Sequence, residues 1–318
     1  VLDLQGRTDA VFNGAMLYID GKKTEGFKFT DGILENATLT GTQTIGDNAI
    51  VTLRGNNSGF VDGADVTIND GANVILGTGA QAANGSSIAV DSTLTLVSSN
   101  LTLDSEITGS GTINVEKDYR EQYAPSIVVN GDKSTFTGTY NQDAGSVTVT
   151  TGSTFFGGTN TVTGDATKGT GGDLHLAKGS FLGSGITVTN SDPDNGGAFD
   201  PHGRVFIEDK IYDSEGVELT DIKKLMEGNL YYNTKLDADG NLLTDELKNI
   251  SIKTGGLILS NGTVFDGSQG TTVFKKDQDG GVVDIGFSNG SGVDGDIELS
   301  EDTMLSYGDG AYIKGDSI

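Results

Sequence analysis

The stretch that decides the fold is residues 92–116, which read STLTLVSSNLTLDSEITGSGTINVE. Aliphatic residues stand two apart in three short runs: Leu94 and Leu96, Leu101 and Leu103, Ile113 and Val115. A period of two residues is typical of a short, half-buried β-strand. The Ser, Asn, Asp and Gly residues between the runs favour turns. The stretch therefore predicts very short strands separated by turns, without long hairpin arms.

The same unit, two aliphatic residues around one central residue, recurs along the chain. It occurs at Val51–Leu53, Val66–Ile68, Val74–Leu76, Ile88–Val90, Ile127–Val129, Val147–Val149, Ile186–Val188 and Leu257–Leu259. The spacing is irregular, and stacked rungs of a parallel β-helix accept such spacing while burying a continuous aliphatic core. A β-sandwich or up-and-down barrel is the alternative, but it would require more regular strand intervals and recognisable hairpin turns. We therefore predict an all-β, right-handed parallel β-helix, or β-solenoid.

Composition excludes several classes of function. The chain has 318 residues, no Cys and a formal net charge of −25. Without Cys there is no disulfide framework, no cysteine nucleophile and no cysteine-ligated metal. An acidic surface repels phosphate backbones, so we expect no nucleic-acid partner. No run of 18 apolar residues occurs, so this segment is not expected to span a membrane.

Residues 192–250 interrupt the strand pattern with a more highly charged sequence. We predict solenoid rungs over residues 1–191, a small α/β excursion over 192–250 with a loop, hairpins and a short helix, and further rungs over 251–318. The chain ends on another strand–turn unit without a closing cap. We therefore expect a segment of a longer protein.

A phrase is duplicated inside the excursion, at residues 212–221 and 236–245. Each copy predicts a hairpin turn that contains Gly, followed by a Thr N-cap and an acidic residue in the first helical turn. After the first copy, apolar residues at helical spacing predict a helix near Asp221–Glu227, and Gly228 is suited to end it.

Residues 107–149 carry a family resemblance. Phe136, Gly138, Gly145 and Val147 match an aromatic-x-Gly unit followed by Gly and an aliphatic strand, and the Gly-Ser-Gly strand at 107–113 precedes them. This text resembles the β-strand repeat of autotransporter passenger domains. The resemblance implies a secreted, non-enzymatic scaffold or adhesin on the bacterial outer surface. Its partners would be cell-surface glycans or proteins, or further copies of itself.

The densest polar cluster suggests an alternative function. It contains Asp192, Asp194, Asp200, His202 and Arg204. In a β-helix polysaccharide lyase or glycoside hydrolase, the carboxylates would divide acid and base roles and Arg204 would hold a uronate. The short signatures of polygalacturonase-like families are missing from the sequence, however. Acids and Pro in a Gly-rich loop are more typical of a solvated turn, so we do not expect an enzyme.

Asp237, Asp239 and Asn241 resemble the start of a calcium loop. An EF-hand is rejected because Leu242 stands where the sharp turn needs Gly and Lys248 where a bidentate Glu is required. We expect no cofactor here. A single structural calcium on this loop is the alternative to a simple turn.

Overall fold

The computed structural model describes residues 15–18, 32–35, 38–55, 58–192, 194–233, 235–268, 270–274 and 281–315. The chain divides into two compact units. Unit 1 contains residues up to Asn141 with Gly145–Val147 and Ser153–Thr159, and unit 2 contains the remainder. The described residues are nearly all β and form about 12 solenoid turns, which confirms the predicted fold class. Within them, no helix is long and apolar enough to cross a membrane.

The strands are short, as predicted from residues 92–116. In chain order they are β1 Ala15–Tyr18, β2 Gly32–Glu35, β3 Thr38–Ile45, β4 Ile50–Arg54, β5 Ser58–Ile68, β6 Asn73–Leu76, β7 Ala80–Ala82, β8 Ser87–Val90, β9 Thr93–Leu96, β10 Leu101–Leu103, β11 Glu106–Thr108, β12 Thr112–Val115, β13 Ser126–Val129, β14 Thr139–Gln142, β15 Gly145–Val149, β16 Thr159–Val162, β17 Gly164–Asp165, β18 Thr170–Leu176, β19 Ile186–Thr189, β20 Arg204–Ile207, β21 Asn229–Tyr232, β22 Lys248–Leu259, β23 Val264–Asp266, β24 Thr272–Phe274, β25 Gly281–Phe287, β26 Gly292–Asp294, β27 Ile297–Leu299, β28 Met304–Tyr307 and β29 Tyr312–Lys314. The helical elements are α1 Ile222–Met226 and a 3₁₀ turn at Thr244–Glu246.

Unit 1 stacks its strands in three parallel ladders. The first joins β1, β2, β4, β6, β9 and β12. The second joins the start of β3 and β5 with β7, β10 and β13, and the third joins the end of β3 and β5 with β8 and β11. In the first ladder Val51, Val74, Leu94 and Ile113 stand in register and are at most 1% exposed. The aliphatic residues of the repeated unit therefore point inward and form the core.

Unit 2 has the same kind of architecture. Its main ladder joins β18, β20, the second half of β22, β25 and β28, all parallel. Further parallel pairs join β16 with β19 and the first half of β22, β24 with β27, and β23 with β26 and β29. Among the described strands of this unit, two pairings are antiparallel, β17 with β18 and β21 with β22.

The aromatic-x-Gly unit has a clear packing role in unit 1. Phe136 lies edge-on to Phe156, with ring centroids 5.6 Å apart. Tyr140 stacks on Phe156 at 5.2 Å and meets Phe155 edge-on at 4.9 Å. A Cβ on Gly138 would lie 2.1 Å from the carbonyl oxygen of Gly111, so only glycine lets these two backbones approach. The matched residues are therefore required for packing.

The predicted excursion over residues 192–250 is two insertions rather than one. Arg204–Ile207 forms β20, which pairs with β18 and β22 inside the main ladder of unit 2. Val205 and Ile207 are both fully buried, so this segment belongs to the solenoid despite its polar neighbours. The first insertion is the loop of residues 190–203. The second covers residues 208–247 and includes α1 and β21.

Both copies of the duplicated phrase form the predicted hairpin turns, with Gly216 and Gly240 at positive φ of 81° and 84°. In each copy one Asp carboxylate accepts two backbone N–H groups: Asp213 from Glu215 (2.9 Å) and Val217 (3.0 Å), Asp237 from Asp239 (2.9 Å) and Asn241 (2.8 Å). The duplicated text therefore encodes the same carboxylate-closed turn twice.

The helix prediction is confirmed in position, and its capping is corrected. Asp221 is the N-cap of α1, because its carboxylate accepts the Lys223 N–H at 2.8 Å, and Gly228 ends the helix at a φ of 68°. Thr220 is therefore not the cap. In the second copy Thr244 opens a 3₁₀ turn whose N-cap is Leu243, without a side-chain hydrogen bond. The carboxylate is the better acceptor for an unpaired helical N–H, which explains the difference in the first copy.

Gly138→Ala should destabilise unit 1 strongly. Its methyl group would meet the Gly111 carbonyl, which is held by the Thr139 N–H at 2.8 Å. We therefore expect a loss of about 3 kcal/mol in the free energy of unfolding, the upper end for overpacking. Gly131→Ala is the matched control. Its φ is 73° but the nearest atom to its Cβ is 3.6 Å away, so it should lose only about 1 kcal/mol of backbone strain. Urea unfolding followed by circular dichroism measures both, and equal losses would contradict the packing argument.

Candidate functional site

The neck of the first insertion is held by backbone hydrogen bonds. The Ser191 N–H donates to the Pro201 carbonyl at 2.9 Å, and the Gly203 N–H donates to the Thr189 carbonyl at 2.8 Å. A Cβ on Gly164 would lie 2.1 Å from the Pro201 oxygen, so the returning chain rests directly on the β17 backbone. The loop of residues 190–203 therefore leaves and re-enters the solenoid at a fixed point.

Asn190 organises the interior of this loop. Its side chain is 1% exposed, donates from Nδ2 to the Gly197 carbonyl at 2.9 Å, and accepts the Asp192 N–H at 3.1 Å. At the far side of the loop the Ala198 N–H donates to the Asp302 carbonyl at 2.8 Å. The loop is therefore tied both to its own neck and to the turn that precedes β28.

His202 joins the loop to β25 through both nitrogens of its ring. Nδ1 lies 2.7 Å from the Asp200 carbonyl oxygen and Nε2 lies 3.2 Å from Oδ2 of Asp284. The Asp284 side chain is fully buried. A carbonyl only accepts, so Nδ1 carries a proton. Burial lowers the pKa of His202, but the hydrogen bonds to Asp284 and to the Asp200 carbonyl outweigh it, so the pKa is raised above its ordinary 6.5.

Arg204 pairs with a carboxylate on the neighbouring strand. Asp173 of β18 stands in register with Arg204 of β20, and the two side chains form a fork: Nε to Oδ1 at 2.7 Å and Nη2 to Oδ2 at 2.8 Å. The guanidinium also lies 5.3 Å from the centre of the Phe206 ring, which stacks on His175 at 4.1 Å. Asp173 therefore occupies the bidentate position in which a uronate carboxylate was predicted to bind Arg204.

The three carboxylates of the predicted cluster have simpler surroundings. Asp192 accepts the Asn195 N–H at 3.2 Å, and Asp200 accepts the Gly197 N–H at 3.0 Å. Both contacts close turns within the loop. Asp194 is exposed on the loop surface.

An open cleft of about 270 Å³ lies beside the loop. Its lining residues are Gly169, Thr170, Gly171, Asp173, Phe199, Asp200, Pro201, His202 and Arg204. The structure therefore brings together Asp200, His202 and Arg204 of the predicted cluster, whereas Asp192 and Asp194 do not line the cleft. The Phe199 ring at its edge is 78% exposed.

Sequence reasoning did not identify Asp173, Asp284 or Phe199 as part of this site. Asp173 reaches Arg204, and Asp284 reaches His202, only because turns of unequal length are stacked in one register. The alternation in β18 already placed Asp173 and His175 on the face opposite Leu174 and Leu176, which are fully buried. The alternation therefore predicted on which face of β18 Asp173 lies, but it did not predict that Arg204 is its partner.

The calcium candidates lie in the second copy of the duplicated turn. Besides its two backbone contacts, the Asp237 carboxylate accepts Nδ2 of Asn241 at 3.1 Å, and these contacts hold the pKa of Asp237 below its ordinary value. In the part of the chain that the structure describes, His, Asp and Glu form no group of three or more that could hold a metal ion.

Comparison with known proteins adds no identity to this geometry. No family model, curated protein or solved structure matches the chain.

The two histidines of the chain should titrate in a defined order. Burial lowers the pKa of His175, and nearby Arg204 lowers it further against the opposing effect of Asp173, whereas the pKa of His202 is raised. Nitrogen chemical shifts of the imidazole rings, followed by NMR from pH 4 to 9, should show His202 losing its proton at the higher pH.

Two substitutions sharpen this measurement. Asp284→Asn removes the charge beside Nε2 and should lower the pKa of His202. Asp192→Asn changes a turn carboxylate with no hydrogen bond to the ring and should leave that pKa unchanged. A wild-type His202 that titrates below His175 would contradict the described pairing.

Proposed function

We propose that this chain is a non-enzymatic extracellular scaffold or adhesin of the autotransporter-passenger type. It would act on the bacterial cell surface and contact glycans, proteins or further copies of itself. The solenoid supports the proposal, because stacked turns carry insertions without losing their ladders. The packing of Phe136 and Gly138 gives the resembling repeat a structural role that fits such a scaffold.

One observation supports the non-enzymatic part of the proposal: the side chains that could act in catalysis already form hydrogen bonds with other groups of the protein. A general base needs a ring nitrogen that can reach the substrate. Both nitrogens of His202 are within hydrogen-bond distance of protein oxygens, and the Arg204 fork is filled by Asp173. These contacts favour a role in fixing the loop over a role in proton transfer.

The alternative is a β-helix polysaccharide lyase or glycoside hydrolase. It is favoured by the cleft, which places Asp173 of β18 beside Asp200, His202 and Arg204. Such enzymes use a pair of carboxyl groups on either side of the bond that breaks. In this cleft Asp173 would have to leave Arg204 before it could take either role.

Incubation with acidic and neutral polysaccharides separates the two functions. We expect no new reducing ends and no unsaturated uronates above the level of a heat-unfolded sample, because the required groups are paired. Turnover that is abolished by Asp200→Ala or His202→Ala would overturn the non-enzymatic proposal.

A binding assay tests the contact function itself. Beads coated with the folded chain should attach to bacterial or host cells, or clump with each other, in a saturable manner. Beads coated with the heat-unfolded chain are the control and should not. Equal behaviour of the two bead types would mean that no folded surface mediates contact.

A further inference from the structure

Phe199 is held in solvent by an ordered backbone. Its neighbour Ala198 is buried and hydrogen-bonded to Asp302, and the Asp200 N–H donates to the Gly197 carbonyl at 3.1 Å. The ring itself is 78% exposed. A single exposed apolar ring is common on protein surfaces and points to a ligand only where other features of a binding site surround it. Here the fixed loop presents the ring at the edge of the cleft, next to Asp173, His202 and Arg204. An aromatic side chain beside a few polar groups is typical of a ligand site.

The Arg204–Asp173 pair supplies donors and acceptors next to this ring. The two side chains are 37% and 25% exposed, respectively. The guanidinium has about five N–H donors and uses two on Asp173, while a carboxylate has about four lone-pair positions and uses two on Arg204. Unused donors and acceptors therefore stand side by side. Neighbouring hydroxyl groups, each of which both donates and accepts, match that arrangement.

The charge of the cleft argues against an anionic ligand. Asp173 compensates Arg204, and a positive charge on the His202 ring would lie 3.2 Å from the buried Asp284 carboxylate. The chain as a whole has a formal charge of −25. A carboxylated sugar would therefore find no uncompensated cation in the cleft and would be repelled by the surrounding surface.

We infer that the cleft binds an uncharged saccharide ring, which stacks on Phe199 and hydrogen-bonds through its hydroxyls to Arg204 and Asp173. The apolar C–H face of a sugar ring suits an aromatic platform, and a few well-placed polar groups then fix its orientation. This inference rests on the proposed contact function, and it names the ligand class for one surface of the scaffold.

An oligosaccharide array that contains neutral, uronate-containing and amino-sugar members tests the inference. The folded wild-type chain should bind neutral members, and isothermal titration with the best of them should give a dissociation constant. Phe199→Ala should weaken that affinity about tenfold or more, because it removes the stacking platform. Tyr119→Ala is the matched control: Tyr119 is 92% exposed and does not line the cleft, so its loss should change the affinity less than about twofold.

Asp173→Asn tests the polar half of the site. It keeps the shape of the side chain but removes the charge that compensates Arg204. The variant should therefore lose affinity for neutral members and gain affinity for uronate-containing members. Circular dichroism spectra that match the wild type would confirm that each variant is folded.

Three other outcomes would each overturn a specific part of the inference. Neutral binding that survives Phe199→Ala would overturn the cleft assignment and leave the contact function standing, with glycans bound elsewhere. Wild-type preference for uronate-containing members would overturn the uncharged class. If no member binds while coated beads still attach to cells, the saccharide inference fails and the proposed function stands through protein contact.

Discussion

The structure depends on one constraint, which is that every turn must bring its strands back into register with the turn before. In unit 1, Val51, Val74, Leu94 and Ile113 meet in one buried row although the chain between them differs in length. Burial of this row stabilises the fold, and a slip of one residue would turn the row to the surface. The chain between ladder positions is consequently free to vary, and insertions are found there.

An insertion still has to satisfy its own polar groups where it packs on the solenoid. The loop of residues 190–203 does this with Asn190 inside the loop and with His202 against the buried Asp284. A buried charge without a partner would cost several kcal/mol, so His202 and Asp284 are each required by the other. Residue types that are common in active sites thus serve here to hold a loop. The cleft and the exposed Phe199 ring are the consequences of that fixed loop.

The sequence was sufficient for the parts of the fold that local pattern determines. Leu94 and Leu96 revealed strand period and facing, and the duplicated Asp-x-acidic-Gly text revealed both hairpin turns because Asp213 and Asp237 act on their own neighbours. Contacts between side chains of different solenoid turns could not be predicted from the sequence. Arg204 finds Asp173 through the register of two unequal turns, and His202 finds Asp284 from 82 positions away. Variable turn length removes any fixed spacing from which such partners could be inferred.

The same limit explains why residues 204–207 were predicted to belong to the excursion and not to the solenoid. The charged and Gly-rich sequence on both sides of residues 204–207 indicated one continuous excursion. Val205 and Ile207 nevertheless keep the alternation of a ladder strand and are fully buried. A four-residue strand between two insertions leaves a weak local signal. Its place in the fold is decided by pairing with β18 and β22.

Backbone hydrogen exchange tests most directly whether the loop of residues 190–203 is built into the solenoid. The Ala198 N–H bonds to the Asp302 carbonyl and the Gly203 N–H to the Thr189 carbonyl. Both should therefore exchange as slowly as amides in the ladder strands, such as Leu257 of β22. If Ala198 and Gly203 exchange at the rate of an unprotected peptide while Leu257 remains protected, the loop is not fixed. The paired cluster, and the cleft that depends on it, would then be contradicted.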